Sequence, residues 1–356
     1  MKFSDIVVIG GGPAGMSAAL AAASEGVRVT LMDRSDELGG QLIKQTHRFF
    51  GSERERAGSR GIEIVNILRD EIAKNPLIEV KRNTDVLGIY SDRVIAYEED
   101  KLYRRMTADK IIICTGAAEK MLQFENNDLP GVYGAGAVQT LMNVYGIKPG
   151  REVLMVGAGN IGLIVTYQLL QAGVKVVAIV EAAPVIGGYK VHASKVRRFG
   201  VPIYTKTTVK TALGDRYVTG AVLADVDDKF QIIPGTEREI AADTICLSVG
   251  LAPLSELIMH TGAEIRYIPQ LGGFVPKRDE NMETTAPGVY VAGDVSCIEE
   301  ATAAMIEGSI AGISAAIATG MNCSKAVAKR EEYIDNLCEL RAGDTGKKIR
   351  DGLAML

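Results

Sequence analysis

The feature that most constrains this chain is a glycine-rich turn between a short β-branched run and an apolar, alanine-rich run. The turn reads Gly10-x-Gly12-x-x-Gly15, with β-branched residues at 6–9 before it. After the alanine-rich run, a second apolar strand pattern ends at Asp33. This order predicts a βαβ unit whose two strands are parallel.

The same order recurs later in the chain. A strand pattern precedes Gly157-x-Gly159-x-x-Gly162, a helix pattern covers 164–171, and the next strand pattern ends at Glu181. The two turns are 147 residues apart, whereas solenoid repeats have periods of about 20 to 50 residues. The repeat therefore indicates two domains of one kind.

Glycines at these spacings are the ones that a bound dinucleotide needs. The first permits the turn, the second lets backbone N–H groups approach a pyrophosphate at the positive helix end, and the third lets the helix pack on the strand. An acid that ends the second strand accepts hydrogen bonds from ribose hydroxyls. The predicted contacts are Gly10, Gly12, Pro13, Ala14, Gly15 and Asp33 in the first site, and Gly157, Gly159, Asn160, Gly162 and Glu181 in the second.

Glu181 also predicts which nucleotide the second site prefers. Its carboxylate is expected where a 2′-phosphate would have to lie, and residues 182–186 contain no arginine. The second site should therefore prefer NAD(H) to NADP(H). The alternative is that Glu181 is only a solvated acid at a strand end.

Three further apolar runs mark where the chain passes between domains. They end at Thr115-Gly116, at Gly250 and at Gly293-Asp294, and a helix pattern over 298–319 follows the last. We predict an α/β fold with two Rossmann-like domains, the second inserted in the first. The predicted bounds are 1–118 and 251–323 for the first domain, 119–250 for the inserted domain and 324–356 for a helical C-terminal tail.

Composition excludes several other classes of protein. A hydrophobic fraction of 47% and a charged fraction of 24% are typical of globular chains, and a net charge of -4 leaves no basic excess for a nucleic acid. Glycines interrupt the apolar stretch 6–23, so neither a signal peptide nor a transmembrane segment is expected. The five cysteines are odd in number and form no Cys-x-x-Cys pair. They favour a reducing, cytoplasmic setting without disulfides, and no metal site is expected.

The order of these motifs resembles the two-dinucleotide-binding-domain flavoproteins, the pyridine nucleotide-disulfide oxidoreductase superfamily, over nearly the whole chain. We call each glycine-rich turn, together with the acid that ends the next strand, a fingerprint. The resemblance implies that FAD binds at the first fingerprint and NAD(P)H at the second. The turn Gly39-Gly40-Gln41 and the Pro-Gly-Val-Tyr-x-x-Gly-Asp segment at 287–294 are also similar to the superfamily's. They imply that Asp294 contacts the ribityl or pyrophosphate part of FAD, that Gln41 hydrogen-bonds near the isoalloxazine, and that the following helix dipole stabilises reduced flavin. The implied FAD contacts are Gly40, Gln41, Thr115, Gly116, Gly293 and Asp294.

The cysteine pattern then narrows the subclass. Disulfide reductases of the superfamily need a cysteine pair beside the flavin, and residues 38–49 and 174–188 contain none. On the sequence a dithiol relay is excluded.

A closer resemblance lies in four short segments: Leu38-Gly39-Gly40-Gln41-Leu42, His47-Arg48-Phe49-Phe50-Gly51, residues 137–145, and Gly187-Gly188-Tyr189. They look like the branch that holds α subunits of sarcosine oxidase, dye-linked proline dehydrogenase, opine oxidase and cyanide synthase, and small flavoproteins that accompany glycerol-3-phosphate dehydrogenase-like proteins. In that branch a separate β-type flavoprotein commonly oxidises the substrate. The implied partners are a small iron-sulfur protein and a second flavoprotein dehydrogenase subunit.

The predicted function is an FAD-dependent NADH:acceptor oxidoreductase that serves as the electron-transfer subunit of an amino-acid or glycerol-3-phosphate dehydrogenase-type complex. Hydride passes directly from nicotinamide C4 to flavin N5, so the protein needs no acid, base or nucleophile. Two residues are candidates for further chemistry. His47 lies in a basic, aromatic segment, 44–60, and Cys297 lies three residues after Asp294, where a buried small hydrophobe is the stronger interpretation.

Two other functions stay open at this point. One is a free-standing NADH oxidase or peroxidase that uses oxygen or Cys297. The other is a non-catalytic, flavin-bound assembly protein. Segment 44–60 and the tail from Lys325 to Leu356 are candidate docking surfaces, or plain solvated structure.

Overall fold

The computed structural model describes residues 2–49, 56–320 and 324–356. It divides into two compact units: unit 1 is residues 1–118 and 251–356, and unit 2 is residues 119–250. The strands, numbered along the chain, are β1 (Lys2–Ile9), β2 (Val29–Met32), β3 (Ile78–Lys81), β4 (Thr84–Ile89), β5 (Val94–Glu99), β6 (Leu102–Ile113), β7 (Ala117–Glu119), β8 (Val132–Gly134), β9 (Glu152–Val156), β10 (Lys175–Glu181), β11 (Ile203–Thr205), β12 (Thr207–Leu213), β13 (Gly220–Asp225), β14 (Arg238–Ala241), β15 (Thr244–Leu247), β16 (Leu251–Pro253), β17 (Ile265–Ile268), β18 (Gly273–Pro276) and β19 (Val289–Val291). The helices are α1 (Pro13–Ser24), α2 (Gly61–Ala73), α3 (Ala135–Asn143), α4 (Asn160–Gln171), α5 (Lys190–Arg198), α6 (Glu256–His260), α7 (Ala301–Ala318), α8 (Ser324–Leu340) and α9 (Lys347–Leu353), with short 3-10 helices at Gly40–Lys44 and Pro269–Leu271.

Unit 1 is built on a seven-stranded sheet in the order β3-β2-β1-β6-β5-β4, with β19 also paired to β6. The predicted first βαβ unit is present, because β1 lies parallel to β2 and places Val8 opposite Leu31. β6 begins at Leu102, well before the apolar run that leads to Thr115-Gly116. Its first half pairs antiparallel with β5, and its second half pairs in parallel with β1 and β19.

Helices α1 and α7 cover one face of this sheet and pack closely on each other. A Cβ added to Gly308 or Gly312 of α7 would collide with the carbonyl oxygen of Ala14 or Ala18 on α1, so small residues set the distance between the two helices. α7 begins at Ala301, later than the predicted residue 298, and the N–H of Ile298 donates to the carbonyl of Leu271 at 3.1 Å.

The apolar composition of α7 raises the question of a membrane span. In the described part of the chain, α7 is the one helix of sufficient length and hydropathy, with a mean hydropathy of 1.4 over 18 residues. However, 83% of that window is buried inside the protein. Its position is that of a core helix.

Unit 2 repeats the architecture with a five-stranded sheet in the order β11-β10-β9-β15-β8. The strands pair in parallel, and Met155 of β9 lies between Ile179 of β10 and Cys246 of β15. The β-branched runs are buried on both faces, as parallel sheets require. A separate antiparallel sheet contains β12, β13 and β14.

The predicted helical tail forms α8 and α9 and packs against unit 1. Ile349, Leu353 and Leu356 surround a small core that contains Leu271 and Cys297. The side chains of Ala326 and Leu337 on α8 are also buried. The tail's apolar side therefore packs against the rest of unit 1, and most of its charged side chains are exposed, whereas Arg341 is buried.

Candidate nucleotide-binding sites

The first fingerprint turn contains glycines of two kinds. Gly10 has a φ of 104°, and an added Cβ would collide with the carbonyl of Cys114; a Cβ on Gly15 would collide with the carbonyl of Gly10. These two glycines are required by the fold. Gly12 differs, because its φ of -76° suits any residue and an added Cβ would meet only the Cα of Gly40, at 3.9 Å. The protein itself does not need glycine there, so the free space beside Gly12 fits a ligand.

Helix α1 begins directly after this free space. Gly12 is its N-cap, Pro13 is its first residue, and neither a side-chain cap nor an acid in the first turn occupies the helix end. The first N–H groups of a helix have no partner within it and carry a partial positive charge. The donor set therefore fits a pyrophosphate.

Asp33 is fixed by two backbone donors at the end of β2. One carboxylate oxygen accepts from the N–H of Gly11 at 2.5 Å and the other accepts from the N–H of Ser35 at 2.7 Å. Each ionised oxygen keeps further acceptor capacity. The arrangement orients the carboxylate beside the turn and leaves it able to accept hydrogen bonds from ribose hydroxyls.

The turn at Gly39 and Gly40 lies against the same helix end. The N–H of Gly39 donates to the carbonyl of Gly11 at 2.7 Å, and a Cβ on Gly40 would lie 2.9 Å from the Cα of Gly12. Both glycines have positive φ, 130° and 50°. Gln41, in the 3-10 turn that follows, is exposed.

The second fingerprint reproduces the first. A Cβ on Gly157 would collide with the carbonyl of Ser248, and a Cβ on Gly162 would collide with that of Gly157, whereas a Cβ on Gly159 would meet nothing within 4 Å. Helix α4 begins after Gly159 without a side-chain cap or a first-turn acid. As in the first turn, the fold leaves space for a side chain at the second glycine, and this space lies beside a helix end that no side chain caps.

Glu181 repeats the contacts of Asp33. Its carboxylate accepts from the N–H of Ala158 at 2.8 Å and from the N–H of Ala183 at 2.9 Å. The side chain is held beside the turn, where it would face the ribose of a nucleotide bound at α4.

A second glycine pair, which the sequence analysis did not recognise as part of the repeat, completes the correspondence. Gly187 and Gly188 follow Glu181 as Gly39 and Gly40 follow Asp33, after the same number of residues. The N–H of Gly188 donates to the carbonyl of Ala158 at 3.0 Å. The equal spacing after the two acids was the available signal.

Asn160 ties this loop to its helix, because its Oδ1 accepts from the N–H of Tyr189 at 2.8 Å. Its predicted role as a nucleotide contact stays a prediction. In the structure the side-chain oxygen takes part in this hydrogen bond within the protein.

In unit 1 a further segment reaches the fingerprint helix. A Cβ on Gly293 would lie 2.9 Å from the Cβ of Ala14, so the backbone at 293 approaches the first turn of α1. Asp294 is partly buried, and its Oδ1 accepts from the N–H of Glu299 at 3.4 Å. Burial, with Glu307 and Glu299 nearby, raises the pKa of Asp294 to about 7.

The strand exit at Thr115-Gly116 is shaped by unit 1 as well. The hydroxyl of Thr115 donates to the carbonyl of Leu254 at 2.8 Å, and Gly116 has a φ of 75°. Two segments of unit 1 are thus joined just beyond β6.

Glu307 was not among the predicted site residues. It is 1% exposed, and its Oε2 accepts from the N–H of Gly293 at 2.9 Å and from the hydroxyl of Ser296 at 3.3 Å. It is the single charged residue within α7. A lone charge in an apolar helix was the signal that could have identified it, since a buried charge requires partners.

Three of the cysteines, Cys114, Cys246 and Cys297, are buried. Cys297 is 2% exposed, and burial raises its pKa, as burial does for Cys114 and Cys246. A thiol of this kind is unreactive, because the thiolate is the nucleophile. Cys338 is exposed, and Cys323 lies outside the described residues.

His47 contacts an aromatic neighbour, with its ring 5.3 Å from that of Phe49. Phe49 is buried. Phe50 and Gly51, with the rest of 50–55, lie outside the described residues. Residues 2–49, 56–320 and 324–356 contain no cluster of His, Cys, Asp and Glu that could hold a metal ion.

Comparison with curated proteins gives relatives along most of the chain. The A-type subunit of opine oxidase from Agrobacterium tumefaciens is 26% identical over 88% of this chain and 65% of its own length. The alpha chain of sarcosine oxidase from Rhizobium meliloti is 28% identical over 84% of this chain and 30% of its own, and hydrogen cyanide synthase subunit HcnB of Pseudomonas protegens is 26% identical over 92% and 73%. The chain therefore spans less than two thirds of the first two relatives.

Solved structures show the same fold. L-Proline dehydrogenase from P. horikoshii has a TM-score of 0.71 at 22% identity, covering 95% of this chain and 59% of that one. Thioredoxin reductase from T. acidophilum has a TM-score of 0.73 at 23% identity, covering 89% and 99%. The predicted α/β fold is confirmed.

The sequence also matches a family profile, described as pyridine nucleotide-disulphide oxidoreductase, over residues 4–320. The resemblance predicted from the motifs is thereby confirmed. The chain belongs to the pyridine nucleotide-disulphide oxidoreductase family and is a flavin-dependent oxidoreductase of that family.

Proposed function

We propose that the chain binds FAD at the first fingerprint and NAD(H) at the second, and acts as an NADH:acceptor oxidoreductase. The observation that carries this proposal is the free space beside Gly12 and beside Gly159, each at an uncapped helix end with a fixed carboxylate. When bound, the two nucleotides supply direct hydride transfer between nicotinamide and flavin.

The role of the protein's own residues is to bind and orient the two nucleotides. The amides at the start of α1 and α4 hold the two pyrophosphates, and Asp33 and Glu181 fix the two riboses. Asp294 contributes to the FAD site only. No side chain has to move a proton in hydride transfer, so His47 is not needed as a catalytic residue.

Glu181 supports NADH over NADPH. Its two oxygens are held by Ala158 and Ala183, so the carboxylate is fixed where a 2′-phosphate would meet a like charge.

The specificity is tested by stopped-flow bleaching of the flavin with each nucleotide. NADH should reduce the flavin at least about tenfold faster, which corresponds to about 1.4 kcal/mol of like-charge repulsion. The double variant Glu181→Ser, Ala182→Arg should shift the preference toward NADPH. Equal rates in the natural protein would contradict the specificity.

We further propose that electrons pass to or from a second flavoprotein dehydrogenase subunit, with a small iron-sulfur protein as the other candidate partner. Support comes from the names of the relatives, which are subunits of an opine oxidase, a sarcosine oxidase and a hydrogen cyanide synthase. In the part of the chain that the structure describes, Cys114, Cys246 and Cys297 are each buried without a disulfide partner. This supports an external acceptor for the flavin over an internal thiol relay.

Purification without a tag, after co-expression with neighbouring genes, tests the partnership. The expected result is one FAD per chain, a co-purifying flavoprotein, dye reduction by the isolated chain, and no oxidation of amino acids or glycerol 3-phosphate. A stable homo-oligomer with rapid NADH and oxygen turnover would replace the proposal with a free-standing oxidase. Flavin that NADH does not reduce would favour an assembly role.

A further inference from the structure

Glu307 is the centre of a buried ionic cluster in unit 1. Its Oε1 accepts from Nη2 of Arg278 at 2.5 Å and from Nη2 of Arg341 at 2.6 Å. Burial alone would raise the pKa of Glu307, but the two guanidinium groups hold it below its usual value. The carboxylate therefore remains charged, and its partners fix its orientation.

The other oxygen of Glu307 holds the backbone just before Asp294. Oε2 accepts from the N–H of Gly293 at 2.9 Å and from the hydroxyl of Ser296 at 3.3 Å. Since the arginines hold Oε1, they also determine where Oε2 lies. The position of the 293–296 turn thus depends on Arg278 and Arg341.

Arg341 has a second contact with the same segment. Its Nε donates to Oε2 of Glu299 at 2.9 Å, and the N–H of Glu299 donates to Oδ1 of Asp294. Arg341 therefore reaches Asp294 along two routes, one through Glu307 and Gly293 and one through Glu299.

Arg341 is itself held in place by the tail. Arg350 of α9 donates to the carbonyls of Arg341 and Gly343, and Ile349 and Leu353 pack against the core that contains Cys297. The tail segment around Arg341 therefore packs on the loop that contains Asp294.

We propose that Arg341 is a positioning residue of the FAD site, so that the C-terminal segment forms part of that site although it lies far from the fingerprint in sequence. The inference rests on the proposed assignment of FAD to the first fingerprint. Arg341 does not contact the ligand; it fixes the 293–299 loop through Glu307 and Glu299.

The test is the affinity of apoprotein for FAD, measured by quenching of flavin fluorescence in the full chain. Arg341→Ala should raise the Kd at least about tenfold, because the loop would no longer hold Asp294 in place for its contact with FAD. Arg341→Lys should raise it less, because one ammonium group can pair with one of the two carboxylates. It also provides the measurement if Arg341→Ala does not fold.

Lys329→Ala is the matched control. Lys329 also ties the tail to unit 1, donating to Ser24 at 2.8 Å and Glu25 at 3.0 Å. Those residues lie at the C-terminal end of α1, opposite to the fingerprint turn. Lys329→Ala should leave the Kd within about twofold, which is within ordinary additivity error.

A double-variant cycle separates positioning from general destabilisation. In an Asp294→Ala background, Arg341→Ala should weaken FAD binding by no more than about twofold, because the loop has lost the residue it positions. The inference would be overturned if Arg341→Ala lowered FAD affinity equally with and without Asp294. It would also be overturned if Lys329→Ala lowered FAD affinity as much as Arg341→Ala does. FAD binding that Arg341→Ala leaves unchanged would overturn it too, whereas natural protein that binds no FAD would overturn the proposed function itself.

Discussion

The two fingerprint turns share their local geometry but differ in what surrounds them. In both, the first and third glycines are required by the backbone, the second leaves free space, and an acid is held by an amide of the turn. In unit 1, however, the Asp294 segment reaches the first turn of α1, and the buried charges of Glu307 and Arg341 hold that segment. Both turns also meet a backbone carbonyl at the end of a neighbouring strand, that of Cys114 in unit 1 and that of Ser248 in unit 2.

From this comparison we predict that the short sequence motif forms the nucleotide cradle and that distant segments determine how firmly a ligand is retained. We expect FAD to remain bound through purification, because several segments contribute to its site. NAD(H), held by one turn and one acid, should exchange in each turnover.

Gly12→Val is expected to have the largest effect. The protein has room for a side chain at this position, so the fold should survive while the pyrophosphate site is blocked. We expect at least about a hundredfold loss of FAD affinity, equivalent to about 2.7 kcal/mol. The measurement is flavin content after reconstitution, with circular dichroism as the check on folding. Full flavin content in a folded variant would show that FAD lies elsewhere.

Gly159→Val is the matching change in unit 2. A Cβ at Gly159 meets nothing within 4 Å, so the variant should keep its FAD. The concentration of NADH needed for half-maximal flavin reduction should rise about tenfold or more. If the variant lost FAD and kept its NADH response, the assignment of the two sites would have to be exchanged.

Asp294→Asn should change the pH dependence of stability in the apoprotein. With its pKa raised to about 7, folded Asp294 keeps a proton that the unfolded chain loses above about pH 4. Its stabilising contribution is therefore complete below pH 4 and is lost as the pH rises through 7. Between these values the natural protein should lose about 4 kcal/mol relative to the variant.

Chemical denaturation from pH 4 to 8 measures this difference. Asp344→Asn, at an exposed position in the tail, is the control and should follow the natural protein. Parallel curves for Asp294→Asn and the natural protein would mean that the carboxyl is ionised throughout.

Cys297→Ala should have the smallest effect. The thiol is buried with a raised pKa, so NADH-to-dye activity should stay within about twofold, the scatter of a non-participating residue. The cavity left by the sulfur should cost about 1 kcal/mol of stability. Loss of turnover with FAD and fold intact would restore the peroxidase interpretation.

The sequence was sufficient for the parts of the fold that local geometry dictates. The spacing of Gly10, Gly12 and Gly15 permits one backbone arrangement after a strand, and the second turn repeats it. The start of β6 was missed, because residues 102–105 are exposed and include two arginines, and they form a strand by pairing with β5.

The ionic cluster of unit 1 could be foreseen only in part. The lone charge of Glu307 in an apolar helix indicates a buried partner, but nothing local identifies Arg341, which pairs with it across 34 positions. Pairing over such a separation depends on where the tail packs. The packing of the tail depends on the apolar contacts of Ile349 and Leu353 and not on any sequence motif.

The insertion of unit 2 within unit 1 determines the order in which the chain can fold. Unit 2 is continuous, so its sheet can form from residues 119–250 alone, whereas the sheet of unit 1 gains its last strand only when β19, which follows the insertion, pairs with β6. Closing so long a loop is slow, because its entropy is lost before the contact is gained. β7 pairs with β16 where the chain enters and leaves the insertion, which holds the two segments of unit 1 side by side. Once unit 2 has folded, the two segments of unit 1 are therefore already close together, and the loop that must close is effectively shorter.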